Sequence, residues 1–136
     1  MIIYNINIPM EIPTSPKEID PAFWNALFFA DNIAVIGARK VPGTWGYDAM
    51  KAALESAAAR PGCHAYPVNP NETEVLGLKS YTSILDIHGP VDLAIIVVPA
   101  SVVPGVFRQC AEKRVKATVI ITAGFAETDE EGARLQ

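Results

Sequence analysis

Hydrophobic positions along this chain fall into short dense blocks separated by stretches rich in Gly and Pro. Asn32-Ile33-Ala34-Val35-Ile36-Gly37, His64-Ala65-Tyr66-Pro67-Val68, Val91 to Val98 and Thr118 to Thr122 are apolar at consecutive rather than alternate positions. That is the pattern of strands buried on both faces, as in a parallel sheet. The blocks between them read as helices. Tyr47 to Ala59 is rich in Ala and is closed by Pro61-Gly62, and Val103 to Lys113 precedes the last strand. A first helix is expected over Pro21 to Ala30, with Asp20 as cap and Pro21 in its first turn. Its aromatics Phe23, Trp24, Phe28 and Phe29 should pack it onto the body. A short strand Leu78 to Tyr81 and a short helix around Ile84 to Ile87 occupy the middle, and Asp129 onward opens another helix. This alternation predicts an α/β fold: a Rossmann-like doubly wound parallel sheet in a single domain, with right-handed crossovers placing helices on both faces.

The ends differ from the body. Residues 1–20 are rich in Ile and Pro, lack the basic start and small-residue cleavage site of a signal peptide, and read as a loose extension or an edge strand. The domain proper is expected over 21–136. Its last residues, Glu130 to Gln136, begin a helix without a stop signal. A domain truncated within a longer protein and a frayed terminal helix both fit that ending.

The chain has 136 residues, enough for one domain with a real core. Its net charge of -4 carries no basic excess, which argues against a nucleic-acid partner. No apolar run reaches the length of a membrane span. Cys63 and Cys110 are too few for a disulfide framework and have no metal-ligand spacing, so a reducing cytoplasm is the expected setting.

In an open parallel sheet, ligands bind outside the carboxyl ends of the strands. Four such ends are legible here, and all are small, turn-forming or Pro-containing: Gly37 to Gly46, Val68-Asn69-Pro70, Val98-Pro99-Ala100 and Thr122-Ala123-Gly124. The first joins a strand to a helix. Its glycines Gly37, Gly43 and Gly46 let backbone approach a phosphate, and the following helix start favours anions. Arg39 and Lys40 add positive charge, and Thr44 offers a hydroxyl. A tight turn without a ligand would carry the same glycines; the basic pair and the hydroxyl favour phosphate binding. The loop matches neither G-x-G-x-x-G nor the P-loop pattern. No carboxylate stands at the end of the second strand before Glu72, which weakens an NAD site.

Taken together, Ile33-Ala34-Val35-Ile36-Gly37-Ala38 and Pro42-Gly43-Thr44-Trp45-Gly46-Tyr47 resemble the opening of the CoA-binding domain of ADP-forming acetate-CoA ligases and of the succinyl-CoA synthetase α subunit. Tyr66-Pro67-Val68-Asn69-Pro70, Val75-Leu76-Gly77-Leu78, Val97-Val98-Pro99-Ala100 and Ile120-Ile121-Thr122-Ala123-Gly124-Phe125 continue the resemblance in order, from about Phe28 to Gln136. The resemblance implies that Gly37, Ala38, Arg39, Lys40, Pro42, Gly43, Thr44, Trp45 and Gly46 hold the phosphates of coenzyme A. It places Val68, Asn69 and Pro70 at the adenosine end, Val98, Pro99 and Ala100 along the pantetheine arm, and Thr122, Ala123 and Gly124 toward the thiol. The sequence departs from the family where Arg39 replaces a common Ser and Asn71 a common Lys. The resemblance further implies CoA or acyl-CoA as ligand, and further ligase domains or subunits as partners. Those other parts would supply a phosphorylated His and an ATP-grasp nucleotide site.

Other candidates are weaker. Cys63 and His64 are neighbours on a strand and would point to opposite faces. Cys110 lies in a predicted helix as core filler. His88, Asp86, Asp92 and Glu127 are scattered, Asp92 flanking a strand; the acidic run Glu127 to Glu131 suits a helix start. Trp45 could cover a cofactor or pack beneath the loop. Besides a ligase module, a stand-alone CoA-binding protein, an NAD(H)-binding redox-sensor domain and a remnant without ligand are the alternatives.

Overall fold

The computed structural model of the chain describes residues 2–4 and 20–122. Candidate residues Ala123 and Gly124, the Glu127 to Glu131 acidic run and the expected helix from Asp129 lie outside them. In chain order the elements are β1 (Ile2–Tyr4), α1 (Pro21–Phe28), β2 (Asn32–Ile36), α2 (Trp45–Ala58), β3 (His64–Val68), β4 (Glu74–Val75), β5 (Leu78–Lys79), a 3-10 turn (Ile84–Asp86), β6 (Leu93–Ile96), α3 (Val103–Glu112) and β7 (Ala117–Ile120).

The main sheet has the order β1-β7-β6-β2-β3. β2, β3, β6 and β7 are mutually parallel, and β1 lies antiparallel along β7 with Ile3 opposite Val119. From β2 the chain winds outward to β3, then returns across β2 to β6 and on to β7. The direction of winding therefore reverses between β2 and β6. The crevice outside their carboxyl ends is the topological switch point, where α/β sheets of this kind take their ligands.

The consecutive apolar residues divide between two cores. Ile33, Val35, Leu93, Ala117 and Val119 face α1 and α2, where Phe23, Ala26, Met50 and Ala53 close over them. Ala34, Ile36, Ala94, Ile96 and Ile120 face the other way, onto Val103, Val106 and Cys110 of α3 and onto Ile84 and Ile87. Each strand thus contributes alternate side chains to opposite layers, and that is why every position in it must be apolar.

Several expectations shift in detail. The strand expected over Val91 to Val98 is assigned as Leu93–Ile96, but its ladder continues on both sides. The Asp92 N–H donates to the Asn32 carbonyl at 2.9 Å and the Val97 N–H to the Ile36 carbonyl at 2.7 Å. Helix α2 starts at Trp45 rather than Tyr47, because Thr44 caps it. A small hairpin, β4 with β5, replaces the isolated strand expected at Leu78 to Tyr81. Its two turn residues, Leu76 and Gly77, have φ of 51° and 80°, the positive values a two-residue hairpin turn demands. The expectation that all four aromatics of α1 pack inward is corrected: Phe23 is buried, while Phe28 and Phe29 are about two-thirds exposed (65% and 66%). Facing residues on a helix recur at three and four, so Phe23 and Ala26 reach the sheet and their neighbours turn outward. Among the described residues no helix is long and apolar enough to cross a membrane.

Candidate functional site

At the end of β2 the backbone is packed too tightly for any side chain. Gly37 has φ of 89°, and its N–H donates to the Val68 carbonyl at 2.8 Å. A Cβ there would overlap the Val97 carbonyl oxygen, so β2 ends wedged between the ends of β3 and β6. Gly46, in the first turn of α2, is pressed the same way: a Cβ on it would overlap the Gly37 carbonyl oxygen. These two glycines bring the start of a 14-residue helix onto the end of the central strand. The first N–H groups of that helix, at Trp45 and Gly46, have no acceptor within the helix and sit at the positive end of its dipole. Gly43 serves otherwise, since its surroundings are open and it supplies a turn at φ of 80°.

The side chains of the loop divide into those used by the fold and those left to solvent. The Thr44 hydroxyl donates to the Val41 carbonyl at 2.8 Å and accepts from the Tyr47 N–H at 3.3 Å. It is committed to capping α2, so the hydroxyl the sequence offered to a phosphate already has both partners. Ala38 is fully buried. Arg39, Pro42 and Trp45 are exposed, Trp45 by 73%. The stem of Arg39 lies over the first turn of α2, its Cγ 3.2 Å from where a Gly46 Cβ would stand. Lys40 reaches Glu72 across the gap to the next loop, Nζ to Oε2 3.1 Å.

Asn69 ties that next loop down. Buried to 8% exposure, it donates from Nδ2 to the Ala38 carbonyl at 2.9 Å and accepts at Oδ1 from the Asn71 N–H at 2.9 Å. Its carbonyl accepts from the Ser80 hydroxyl at 3.2 Å and its N–H donates to the Tyr81 carbonyl. Asn69 therefore shapes the site rather than offering free groups to a ligand. Val68 is buried and Pro70 exposed beside it. At the end of β6, Val98 packs against the α3 core, Pro99 is exposed and Ala100 is buried. The Thr122 hydroxyl donates to the Val98 carbonyl at 2.6 Å, which joins the ends of β6 and β7.

The described candidates thus converge on one ledge along the carboxyl edge of the sheet, with Ala38 linked to Asn69, Gly37 to Val68 and Val98 to Thr122. Within 37–46, 68–72, 97–101 and 121–122 the charged residues are Arg39, Lys40 and Glu72. Sequence reasoning passed over Ser80 and Tyr81, which anchor Asn69, and read Glu72 only as distant from the strand end. Glu72 comes back to the ledge because its N–H closes a turn on the Asn69 carbonyl at 3.3 Å.

Among the described residues no thiol or imidazole points at the ledge. Burial pushes the Cys110 thiol up to about 12. Cys63 lies at the opposite, amino end of β3, where desolvation and a hydrogen bond to Asp31 raise its thiol. His64 and His88 are exposed. Among the described residues no group of three His, Cys, Asp or Glu could hold a metal ion. Two clefts of about 250 and 180 Å³ flank α1, away from the ledge. The larger is lined by Ala and Phe side chains together with Asn25, Asp31, Asp92 and Lys116, the smaller largely by apolar side chains, and neither combines close-packed glycine backbone with a helix start. The ledge is an open surface suited to an extended ligand.

A family model described as a CoA binding domain matches residues 31–135. The α subunit of the ADP-forming acetate–CoA ligase II of Pyrococcus furiosus is 52% identical over 75% of this chain and 21% of its own length. The ADP-forming acetate–CoA ligase of Methanocaldococcus jannaschii is 44% identical over 73% of this chain and 13% of its own. Among solved structures, the apo form of a dinucleotide forming acetyl-coenzyme A synthetase 1 from Ca. Korarchaeum cryptofilum superposes with a TM-score of 0.70 at 36% identity, over 82% of this chain and 23% of that one. The chain spans less than a quarter of each of these relatives.

Proposed function

The chain belongs to the CoA-binding domain family, and we propose that it holds coenzyme A along the carboxyl edge of its sheet as the CoA-binding module of an ADP-forming acyl-CoA ligase of the acetate–CoA ligase type. The observation that carries this reading is the junction of β2 and α2. There Gly37 and Gly46 press a capped helix start against the switch point of the sheet, with Arg39 and Lys40 beside it. A diphosphate set there would meet the backbone N–H groups of the first turn of α2 and the Arg39 guanidinium. Val68, Asn69 and Pro70 would bound the adenosine, Val98, Pro99 and Ala100 the pantetheine arm, and Thr122, Ala123 and Gly124 the thiol. The described residues of the ledge provide position and charge. Phosphoryl transfer and nucleotide binding would come from further ligase domains or subunits. The cytoplasm, where two free cysteines stay reduced, is the proposed setting.

Thermal unfolding of the 136-residue chain with CoA, NAD and ADP in parallel tests this. CoA at a hundredfold excess over its dissociation constant should add about 2.7 kcal/mol, a shift of several degrees at this size. A shift with NAD and none with CoA would overturn the reading.

A further inference from the structure

Lys40 and Glu72 bridge the first loop and the turn after β3. In open nucleotide-binding sheets that turn receives the adenosine ribose: a carboxylate there accepts from a bare ribose hydroxyl, while a cation accommodates a ribose phosphate. This chain places one of each, 3.1 Å apart. The two are unequal in freedom. The Glu72 side chain is only 14% exposed, and its N–H is fixed on the Asn69 carbonyl. Lys40 is 67% exposed on a flexible four-carbon stem. Lys40 can swing to a new anion while Glu72 stays in place.

We propose that the Lys40–Glu72 pair is the element that reads the ribose phosphate of the bound nucleotide, and so sets the preference between CoA and dephospho-CoA. The proposal rests on the CoA reading above and deepens it. CoA carries a 3′-phosphate on its ribose in addition to the two bridging phosphates; dephospho-CoA lacks only that group. Among the described residues of the ledge Arg39 and Lys40 are the cations, and Arg39 lies at the start of α2, where the diphosphate is placed. Lys40 is therefore the cation left for the third phosphate. When the phosphate arrives, Lys40 exchanges a carboxylate partner for a phosphate one, and Glu72 becomes an unpaired repulsive neighbour that restrains affinity. When the ribose is bare, Glu72 accepts from its hydroxyl and Lys40 keeps its original partner.

The two residues must then move selectivity in opposite directions. Dissociation constants for CoA and dephospho-CoA are measured by calorimetry on the full chain and on Lys40→Gln, Lys40→Arg and Glu72→Gln. Lys40→Gln should weaken CoA about tenfold, the loss of one charge-assisted hydrogen bond, and leave dephospho-CoA within about twofold. Glu72→Gln should tighten CoA by about threefold and weaken dephospho-CoA by about as much, since the pair it breaks is half exposed. Lys40→Arg should retain the wild-type preference. Unliganded melting temperatures show whether each variant is folded. If the wild-type chain binds CoA and neither Gln variant changes the ratio of the two constants, the pair is only a surface contact and the proposal fails by itself. If the wild-type chain binds neither compound, the CoA reading fails and takes this one with it.

Discussion

The two edges of the main sheet are built on different principles. At the amino edge, side chains stitch the strands together. The Asp92 carboxylate accepts at Oδ2 from the Asn32 N–H at 3.0 Å and from Asn32 Nδ2 at 3.3 Å, and at Oδ1 from Lys116 Nζ at 2.6 Å. One residue at the head of β6 thereby holds the starts of β2 and β7. Arg60 adds a hydrogen bond to the Ala30 carbonyl, and the His64 N–H donates to the Asp31 carbonyl at 2.7 Å. At the carboxyl edge, backbone packs directly on backbone at Gly37 and Gly46, and the side chains of Asn69, Ser80 and Thr122 tie main-chain carbonyls beside them. Functional groups at the amino edge are already paired within the fold. Those of the carboxyl edge, Arg39 and the first N–H groups of α2, are held in place and left facing outward. An edge where main chain packs on main chain can offer its donors to a ligand without dismantling itself.

The sharpest way to break this contrast is to add one carbon at the carboxyl edge. Gly37→Ala would combine a Cβ overlapping the Val97 carbonyl with a φ of 89°. It should lower stability by about 3 kcal/mol or more, a fall on the order of 10 °C in melting temperature. Gly46→Ala should come close to it, because its Cβ would overlap backbone with no flexible end to yield. Gly43→Ala is the control. It faces open space at φ of 80° and should cost about 1–2 kcal/mol, the left-handed penalty alone. Equal effects at all three positions would mean that close packing at the switch point is not what these glycines provide.

Asp92 tests the other edge. Burial alone would raise its carboxyl, but the hydrogen bond from Lys116, those from Asn32 and the Lys116 charge outweigh that and hold it below its ordinary value of 3.8. A carboxyl with a lowered folded pKa stabilises the fold fully above its unfolded pKa. That contribution is lost as pH falls from about there through the lower folded value. Asp92→Ala should cost about 2–3 kcal/mol at neutral pH, through two strand starts left without their acceptor. Its acid limb of unfolding should be shallower than that of the wild type. CoA affinity should not change, since Asp92 is at the far edge. Chemical denaturation across pH 2–7 (approximate bounds set by ordinary carboxylate titration) reads the stability, and calorimetry the binding. A large loss of CoA affinity in this variant would abolish the distinction between a structural and a binding edge.

How far the chain disclosed these edges depended on whether a signal was local. The main-sheet strands β2, β3, β6 and β7 were legible because two-sided burial demands unbroken apolar runs, and the cap of α1 because Asp20 directly precedes Pro21; the Thr44 cap was not, since the helix was expected to start at Tyr47. Gly37 and Gly46 could be singled out as glycines next to a strand end; that one packs on the other could not, since nine residues separate them and only the folded crossover brings them together. The same holds for Asn69, bonded to Ala38 thirty-one residues earlier. It also holds for Glu72, whose distance from the strand end in sequence conceals the turn that returns it to Lys40. The aromatics of α1 misled for the opposite reason: composition marked them as core, while helical periodicity lets only Phe23 reach the sheet.

Asn69 is one place where the carboxyl edge depends on a side chain, and Asn69→Ala sharpens the contrast by a smaller amount. It leaves the Ala38 carbonyl and the Asn71 N–H without their side-chain partner. The expected loss is about 1–2 kcal/mol of stability. A drop in CoA affinity of about tenfold should accompany it, because the first two loops lose their register. Asn69→Asp should restore the Asn71 contact but not the Ala38 one, and so recover only part of both. Full affinity in Asn69→Ala, with the stability loss as stated, would show that the loops keep their arrangement without this tie.

Thr44 carries the smallest expected effect and tests whether its hydroxyl, which the sequence offered to a phosphate, serves the helix instead. Both of its hydrogen bonds are internal, to the Val41 carbonyl and from the Tyr47 N–H. Thr44→Ala should therefore cost about 1 kcal/mol of stability, the usual loss of an N-cap, and Thr44→Ser should recover most of it. CoA affinity should fall by no more than about threefold in Thr44→Ala, because the N–H groups of Trp45 and Gly46 remain aimed at the ledge even when the cap is gone. A loss in affinity much larger than the loss in stability would reassign the hydroxyl to the phosphate.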